Sequence, residues 1–303
     1  MLMDTLGELL FKVFCMVLFG AFLKKIRIIT KGMQEGLSSL LLNAILPISV
    51  IGSAEAECTP EMVQALLWAA IVSAIYYIVA FLIAKLIAAP MGMGMRKKNI
   101  FISMNMFANV GFIGMPLCGA LCGKEGFLIA VIYNLIYQIF LVFVGIPMMK
   151  PGNGVSWDML KDPLLLVSVA AIVIFVSPFR LPSAIQGVCD DIGSMIVPVS
   201  MMIIGSDLAD QRLLEIFRDG KAYVVSIMRL LVYPLLMFLI LKVMSVSNMI
   251  LIPMVLLTAL PSGSLNVILA KEYDCEPEFA SRTVILSMIL MITTLPIILW
   301  IIS

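Results

Sequence analysis

Apolar segments of about 20 residues, the length that crosses a bilayer, recur along the whole chain of 303 residues. They occupy about 5–24, 36–54, 62–88, 99–121, 126–149, 163–179, 190–208, 221–243, 249–270 and 279–302. This pattern predicts an all-α polytopic membrane protein with ten transmembrane helices. Composition agrees: 62% of the residues are hydrophobic and 13% are charged, against about 45–50% and about 25% in a soluble domain. A soluble chain of this size could not hide so much apolar surface, whereas a bilayer solvates it directly. The first segment runs past Lys12 towards Lys24 without a small-residue cleavage site. It reads as the first span, not as a signal peptide.

Several function classes fall away. Histidine is absent, which removes every mechanism that needs an imidazole base, a His metal ligand or a Ser-His-Asp triad. The six cysteines, Cys15, Cys58, Cys118, Cys122, Cys189 and Cys275, are scattered, and several sit inside apolar runs. Their spacing suggests neither a zinc site nor a disulfide framework. No cofactor and no metal are expected, and an enzyme is disfavoured. The 24 methionines are spread over all spans and read as compliant packing, not as a copper path.

Charge sets the orientation. Fifteen Lys and Arg, among them Lys24, Arg27, Lys85, Arg96, Lys97, Lys98, Lys150 and Lys271, fall on one side when loops alternate. Only Lys12, Lys124, Arg180 and Lys242 fall on the other. The positive-inside rule then places both termini outside and the segment 150–162 in the cytoplasm. The expected organisation is a first repeat at 1–149, a cytoplasmic linker at 150–162 and a second repeat at 163–303. A short stretch from Ala209 to Arg218 puts Leu213, Leu214 and Phe217 on one helical face. It reads as an interfacial amphipathic helix.

The two halves echo each other at an offset of roughly 150 residues, the kind of internal repeat that decides an architecture. Leu46-Pro47-Ile48-Ser49 in the second span corresponds to Val197-Pro198-Val199-Ser200 in the seventh. An odd number of spans per half makes this a 5+5 inverted repeat, a recurrent transporter architecture. Span 4 carries Asn109-Val110-Gly111-Phe112-Ile113-Gly114-Met115-Pro116-Leu117, and span 9 carries Leu260-Pro261-Ser262-Gly263-Ser264-Leu265-Asn266. Mid-span Gly and Pro break helices, and freed backbone groups in lipid need partners or a wet cavity. Matched interruptions in two halves are the best sequence pointer to a transporter's binding site. Where the broken helices 4 and 9 cross, half-helix N-termini would offer N–H groups to an anion.

These residues resemble the auxin efflux carrier family, which includes bacterial malonate and malate permeases. Asn109 through Leu117 is similar to the family's Asn-x-x-x-x-Gly-x-Pro-Leu crossover. Ala259-Leu260-Pro261 through Ala270-Lys271-Glu272-Tyr273 is similar to the second crossover, and Arg229 through Pro234 to an Arg-x-x-x-x-Pro run. The long hydrophilic loop of plant exporters is missing. The resemblance implies a scaffold and a transport domain, small organic anions as substrates, and an elevator-like or rocking alternation.

The substrate-binding residues expected are Asn109, with Gly111, Gly114 and Pro116 shaping its break, and Pro261, Ser262, Ser264 and Asn266 in span 9. Asn43 faces either the same cavity or a neighbouring helix. Arg229 lies about 12 Å deep in its span, where a charge is costly and is usually functional or paired. It either attracts substrate or forms a structural ion pair, for which Asp207 is the candidate partner. The expected partners are a small organic anion and the lipid bilayer, with room for a homodimer and no nucleic acid. The coupling ion stays open. A sodium-coupled organic-anion symporter of bile-acid type and an anion channel are the competing functions.

Overall fold

The computed structural model of the chain describes residues 2–150, 161–209 and 219–302. All but Ala209 of the predicted amphipathic helix at 209–218, and most of the 150–162 linker, lie outside the described residues. Every regular element described is helical. In chain order these are α1 (Leu2–Lys25), α2 (Lys31–Ser53), α3 (Pro60–Ala88) and α4 (Met95–Met106). Next come α5 (110–122), α6 (124–149), α7 (Pro163–Val176), α8 (Ser183–Ser194) and α9 (Ile196–Ala209). The last are α10 (Gly220–Val243), α11 (Asn248–Thr258), α12 (Leu265–Glu272) and α13 (Pro277–Ile302).

Six described stretches are long and apolar enough to cross a membrane: Lys31–Ser53, Pro60–Met91, Val110–Met149, Ser183–Ala209, Gly220–Val243 and Pro277–Ile302. The 40-residue stretch Val110–Met149 is a hairpin. At Gly123 φ is 67° and ψ is −160°, a backbone that L side chains rarely adopt. A Cβ on Gly119 would lie 3.0 Å from Phe127 Cδ2, whereas eight residues of straight helix span about 12 Å. The chain therefore folds back at Gly123, and α5 and α6 lie side by side.

Local chemistry places the helix starts. Thr30, Thr59, Asp162 and Asp219 each accept a backbone N–H from the first turn that follows, which satisfies a donor with no helical partner. Pro60 and Pro163 follow two of these caps at a position where no N–H is needed. Four wide turns, at Leu41–Ile45, Val110–Gly114, Leu141–Gly145 and Met228–Val232, have a common cause. Each is followed two residues later by a proline: Pro47, Pro116, Pro147 and Pro234. Proline cannot donate and its ring crowds the preceding turn. The helix widens there, and the residue before each proline donates to a carbonyl five residues back.

Packing separates two faces on the long helices. On α3, Leu67, Ile71, Ile75, Ile78, Leu82 and Leu86 are all exposed along one stripe. Ala65, Ala69, Ser73, Tyr76, Ala80 and Ala84 are buried on the other. Exposed isoleucines and leucines at helical spacing suit acyl chains, and the small residues let neighbouring helices approach. Helix α1 packs along α9, and α7 and α8 pack on α2. Helix α3 packs on α4 and, through Tyr77 and Tyr133, on α6; the α5–α6 hairpin packs on α11, and α10 on α13. The α1–α9 contact is so close that a Cβ on Gly205 would fall onto the Val17 carbonyl. Replacing Gly205 with Leu is expected to cost at least the upper end of the overpacking range, about 1–3 kcal/mol. Thermal unfolding in detergent checks this against Gly187→Leu, where nothing lies within 4 Å of the new Cβ and no change is expected.

Candidate functional site

Helix α4 ends at Met106, and Phe107 is extended at φ −100° and ψ 104°. Helix α11 ends at Thr258, and α12 starts after Ser264. Between these ends the two chains run past each other as a single antiparallel bridge, Ala108 against Ser262. Asn109 N donates to Pro261 O at 3.0 Å, and Gly263 N donates to Phe107 O at 2.9 Å. The breaks read in spans 4 and 9 therefore meet. Gly263 is required at this crossing because a Cβ there would sit 2.6 Å from Ala108 O.

Side chains complete the stitching. Ser262 Oγ donates to Met104 O at 2.9 Å, and Ser262 N donates to Ser287 Oγ at 3.2 Å. Asn266 Oδ1 accepts from Ser103 Oγ at 2.7 Å, and its Nδ2 donates to Phe107 O and Gly263 O, both at 3.0 Å. Both residues are buried and engaged in these bonds, so they brace the crossing, and neither lines the two cavities described below. Gly114 is also a packing position, because a Cβ there would lie 2.7 Å from Leu260 Cδ1.

Arg229 is wholly buried. Its Nε and Nη2 donate to Leu260 O at 3.2 and 3.1 Å. Its Nη1 donates to Tyr76 Oη at 2.5 Å, Asn105 O at 3.2 Å and Met106 O at 3.3 Å. The guanidinium thus caps the carbonyl ends of both broken helices, where the helix dipole is negative. Asp207 does not pair with it: Asp207 hydrogen-bonds the Gln34 amide. Of the two roles open to Arg229 in the sequence, the geometry gives it the bracing one, with carbonyls in place of a carboxylate.

The opposite polarity faces a cavity of about 210 Å³. Residues 108–112 and 263–265 line it, so the N-termini of α5 and α12 both open onto it. First-turn N–H groups have no helical acceptor, which makes such ends receptive to anions. Asn109 caps α5 by accepting from Phe112 N at 3.3 Å, while its Nδ2 lies 3.5 Å from Ser264 Oγ. Asn43, Asn109, Gly111 and Ser264 of the predicted set share this cavity. Asn43 also donates to Ser39 Oγ at 3.1 Å. Pro116 lines a separate cavity of about 320 Å³ with Ser49, Ser53, Lys124 and Asp190. That larger space lies at the α5–α6 hairpin tip, where Lys124 Nζ is 2.8 Å from Asp190 Oδ1. Neither broken-helix N-terminus opens onto it.

Sequence reasoning passed over four cavity residues with polar side chains: Asn134, Tyr137, Gln138 and Asp162. The signal was present in two of them. Asn134 and Gln138 are amides four residues apart on one face of an apolar span, where polar side chains are expensive. Asp162 was hidden at a span boundary and caps α7 through Leu165 N at 3.1 Å. Among the described residues no three His, Cys, Asp or Glu converge in a way that could hold a metal.

Replacing Arg229 with Met would leave the Leu260, Asn105 and Met106 carbonyls without their donor in a low-dielectric interior. The expected loss is about 3–5 kcal/mol, as for breaking a buried charged contact. Arg229→Lys is expected to fail as well, because one ammonium cannot reproduce a planar five-donor fork. Unfolding in detergent, followed for both variants, checks this.

The family described as membrane transport protein matches the chain twice, over residues 5–159 and 152–299. An uncharacterized transporter of Methanothermobacter thermautotrophicus is 24% identical over 293 residues, covering 96% of each chain. An uncharacterized transporter of Methanocaldococcus jannaschii is 24% identical over 194 residues, covering 61% of this chain and 62% of the relative.

Proposed function

The chain belongs to the membrane transport protein family of the auxin efflux carrier type, and from that premise we propose that it is a secondary carrier of a small organic anion. The substrate class is a carboxylate such as malonate or malate, moved across the cell membrane by an elevator-like alternation of access. The observation that carries this reading is the pair of half-helix N-termini opening onto one cavity beside the Asn109 amide. Two positive dipole ends attract a carboxylate without placing a fixed charge in the bilayer.

The architecture proposed with it is ten spans in a 5+5 inverted repeat. Spans 4 and 9 are α4–α5 and α11–α12. Reciprocal packing supports the repeat. The first span of one half, α1, lies on α9 of the other half, and α7 lies on α2. Likewise α3 lies on α6 and α10 lies on α13. The family match over two successive regions points the same way. Both termini would face outward by the charge bias of the loops.

Helices α1, α2, α7, α8 and α9 would form the scaffold, and α3–α6 with α10–α13 the moving part. The cavity lies at the boundary between them. Leu42, Asn43 and Leu164 line one wall, and the crossing and α6 line the other. Sliding one part along the other would carry the crossing, and a bound anion, past the scaffold wall. The Lys124–Asp190 ion pair joins the two parts and would have to open on each transit.

Uptake of labelled malonate and malate into vesicles reconstituted with the purified protein tests the reading. Asn109→Ala is expected to lower transport at least about tenfold, the worth of one good hydrogen bond. Loss of the α5 cap should cost only about 1 kcal/mol of stability. Undiminished transport by the folded variant would remove Asn109 from the site. Transport of no carboxylate by the unaltered protein would overturn the substrate class.

A further inference from the structure

Three helix N-termini border the cavity at the crossing, and they are capped differently. Asn109 caps α5 with a neutral amide that accepts from Phe112 N. Ser264 precedes α12 and gives it no side-chain cap. The third N-terminus belongs to α7, whose first residues Pro163 and Leu164 line the facing wall. Its cap is a carboxylate. Asp162 Oδ1 accepts from Leu165 N at 3.1 Å, and Asp162 O accepts from Leu166 N at 3.1 Å. Pro163 has no N–H to offer. The start of α7 therefore keeps most of its donors to itself, and a negative charge covers its positive dipole end.

Asp162 is half-buried, and it is the one charged side chain among the residues that line this cavity. Lys161, next to it in the chain, is exposed and does not line the cavity. A charge acts through space and needs no contact with the ligand. A carboxylate cavity whose one charged lining residue is acidic is built to let an anion go, not to hold it tightly.

We propose that Asp162 is a specificity-determining residue of this cavity, weakening anion binding while the crossing stands beside α7. The inference rests on the carboxylate reading given under Proposed function. The anion meets the N-termini of α5 and α12, and the Asp162 carboxylate repels it from the α7 wall. The anion thus stays with the crossing and is not held by the scaffold. Once the crossing slides away from α7 the repulsion falls, so affinity is higher in the other position. A ligand biases two states only through its differential affinity for them, and a wall charge facing the anion in one state supplies that difference. By the charge bias of the loops α7 begins on the cytoplasmic side, so release is favoured there.

A purely structural role for Asp162, as the cap of α7, gives a different result. Asn and Asp cap helices equally well, so Asp162→Asn removes the charge and keeps the cap. The test is ligand binding to the purified full chain at neutral pH, by titration of thermal stability. The probes are malonate, monomethyl malonate and malonamide, which share a skeleton and carry two, one and no negative charges. Asp162→Asn is expected to bind monomethyl malonate about threefold or more tighter than the unaltered protein does. The gain for malonate should be larger, and malonamide should gain nothing. Asp162→Ser, which also caps well and has no charge, should behave alike and serves if the Asn variant does not fold. An unchanged malonate affinity in the folded variant would overturn the proposal, as would an equal gain for malonamide. Both of these outcomes leave the carboxylate carrier standing. Binding of neither acid, by the unaltered protein or by the variants, would overturn the carboxylate reading and this inference together.

Discussion

The site depends on one buried cation. Arg229 has no solvent exposure, and among the described residues no carboxylate pairs with it. Such a charge would be prohibitive in an apolar interior unless other groups satisfied it. Its partners are the Leu260, Asn105 and Met106 carbonyls and the Tyr76 hydroxyl. Those carbonyls belong to the C-terminal ends of two broken helices, so the guanidinium collects two negative dipole ends at one point. The consequence is directional. With both C-termini turned to Arg229, the helices that resume after the crossing present their N-termini to the cavity.

The crossing is held by few groups, each with several partners. Asn266 bridges three positions on both chains, and Gly263 admits the approach to Ala108. Around Arg229 lies an aromatic group in which Tyr76 meets Tyr77 at 5.2 Å and Tyr233 at 5.9 Å between ring centroids. These large side chains exclude water from the guanidinium, which strengthens its bonds to the carbonyls. The Pro234 that follows the wide turn at Met228–Val232 belongs to the same construction. By widening the helix at Arg229 it changes the angle at which that side chain leaves the backbone.

The two cavities differ in what borders them. The one at the crossing is bordered by helix N-termini, amides and the Asp162 carboxylate. The larger one is bordered by glycines and serines and by the Lys124–Asp190 pair. Volume alone would favour the second. The first is where oriented N–H groups and several amide side chains border one space, and binding follows such groups more closely than it follows empty space.

How much was legible beforehand follows from which interactions are local. Gly and Pro act on their own backbone, so the breaks near Asn109 and Pro261, the hairpin between 121 and 126, and the apolar stretches could be read directly from the sequence. Asn109, Gly111 and Ser264 followed from their position beside a break. The role of Arg229 did not, because depth in the bilayer says that a charge needs partners but not which ones. The sequence suggested Asp207, whereas folding supplied carbonyls from residues 31 and 124 positions away. Ser262, Asn266 and Gly114 look like lining residues when read along the chain, yet they turn inward once the two breaks cross. Asn134 and Gln138 stand out as two amides on one face of an apolar span, but the cavity they border exists only once α6 is set against the crossing. The sequence by itself determined where the helices lie and where they must break, since propensity and hydropathy act within a few residues. Only the tertiary structure decided which polar groups satisfy one another and which stay open to a ligand, since that depends on segments more than a hundred residues apart meeting at one point.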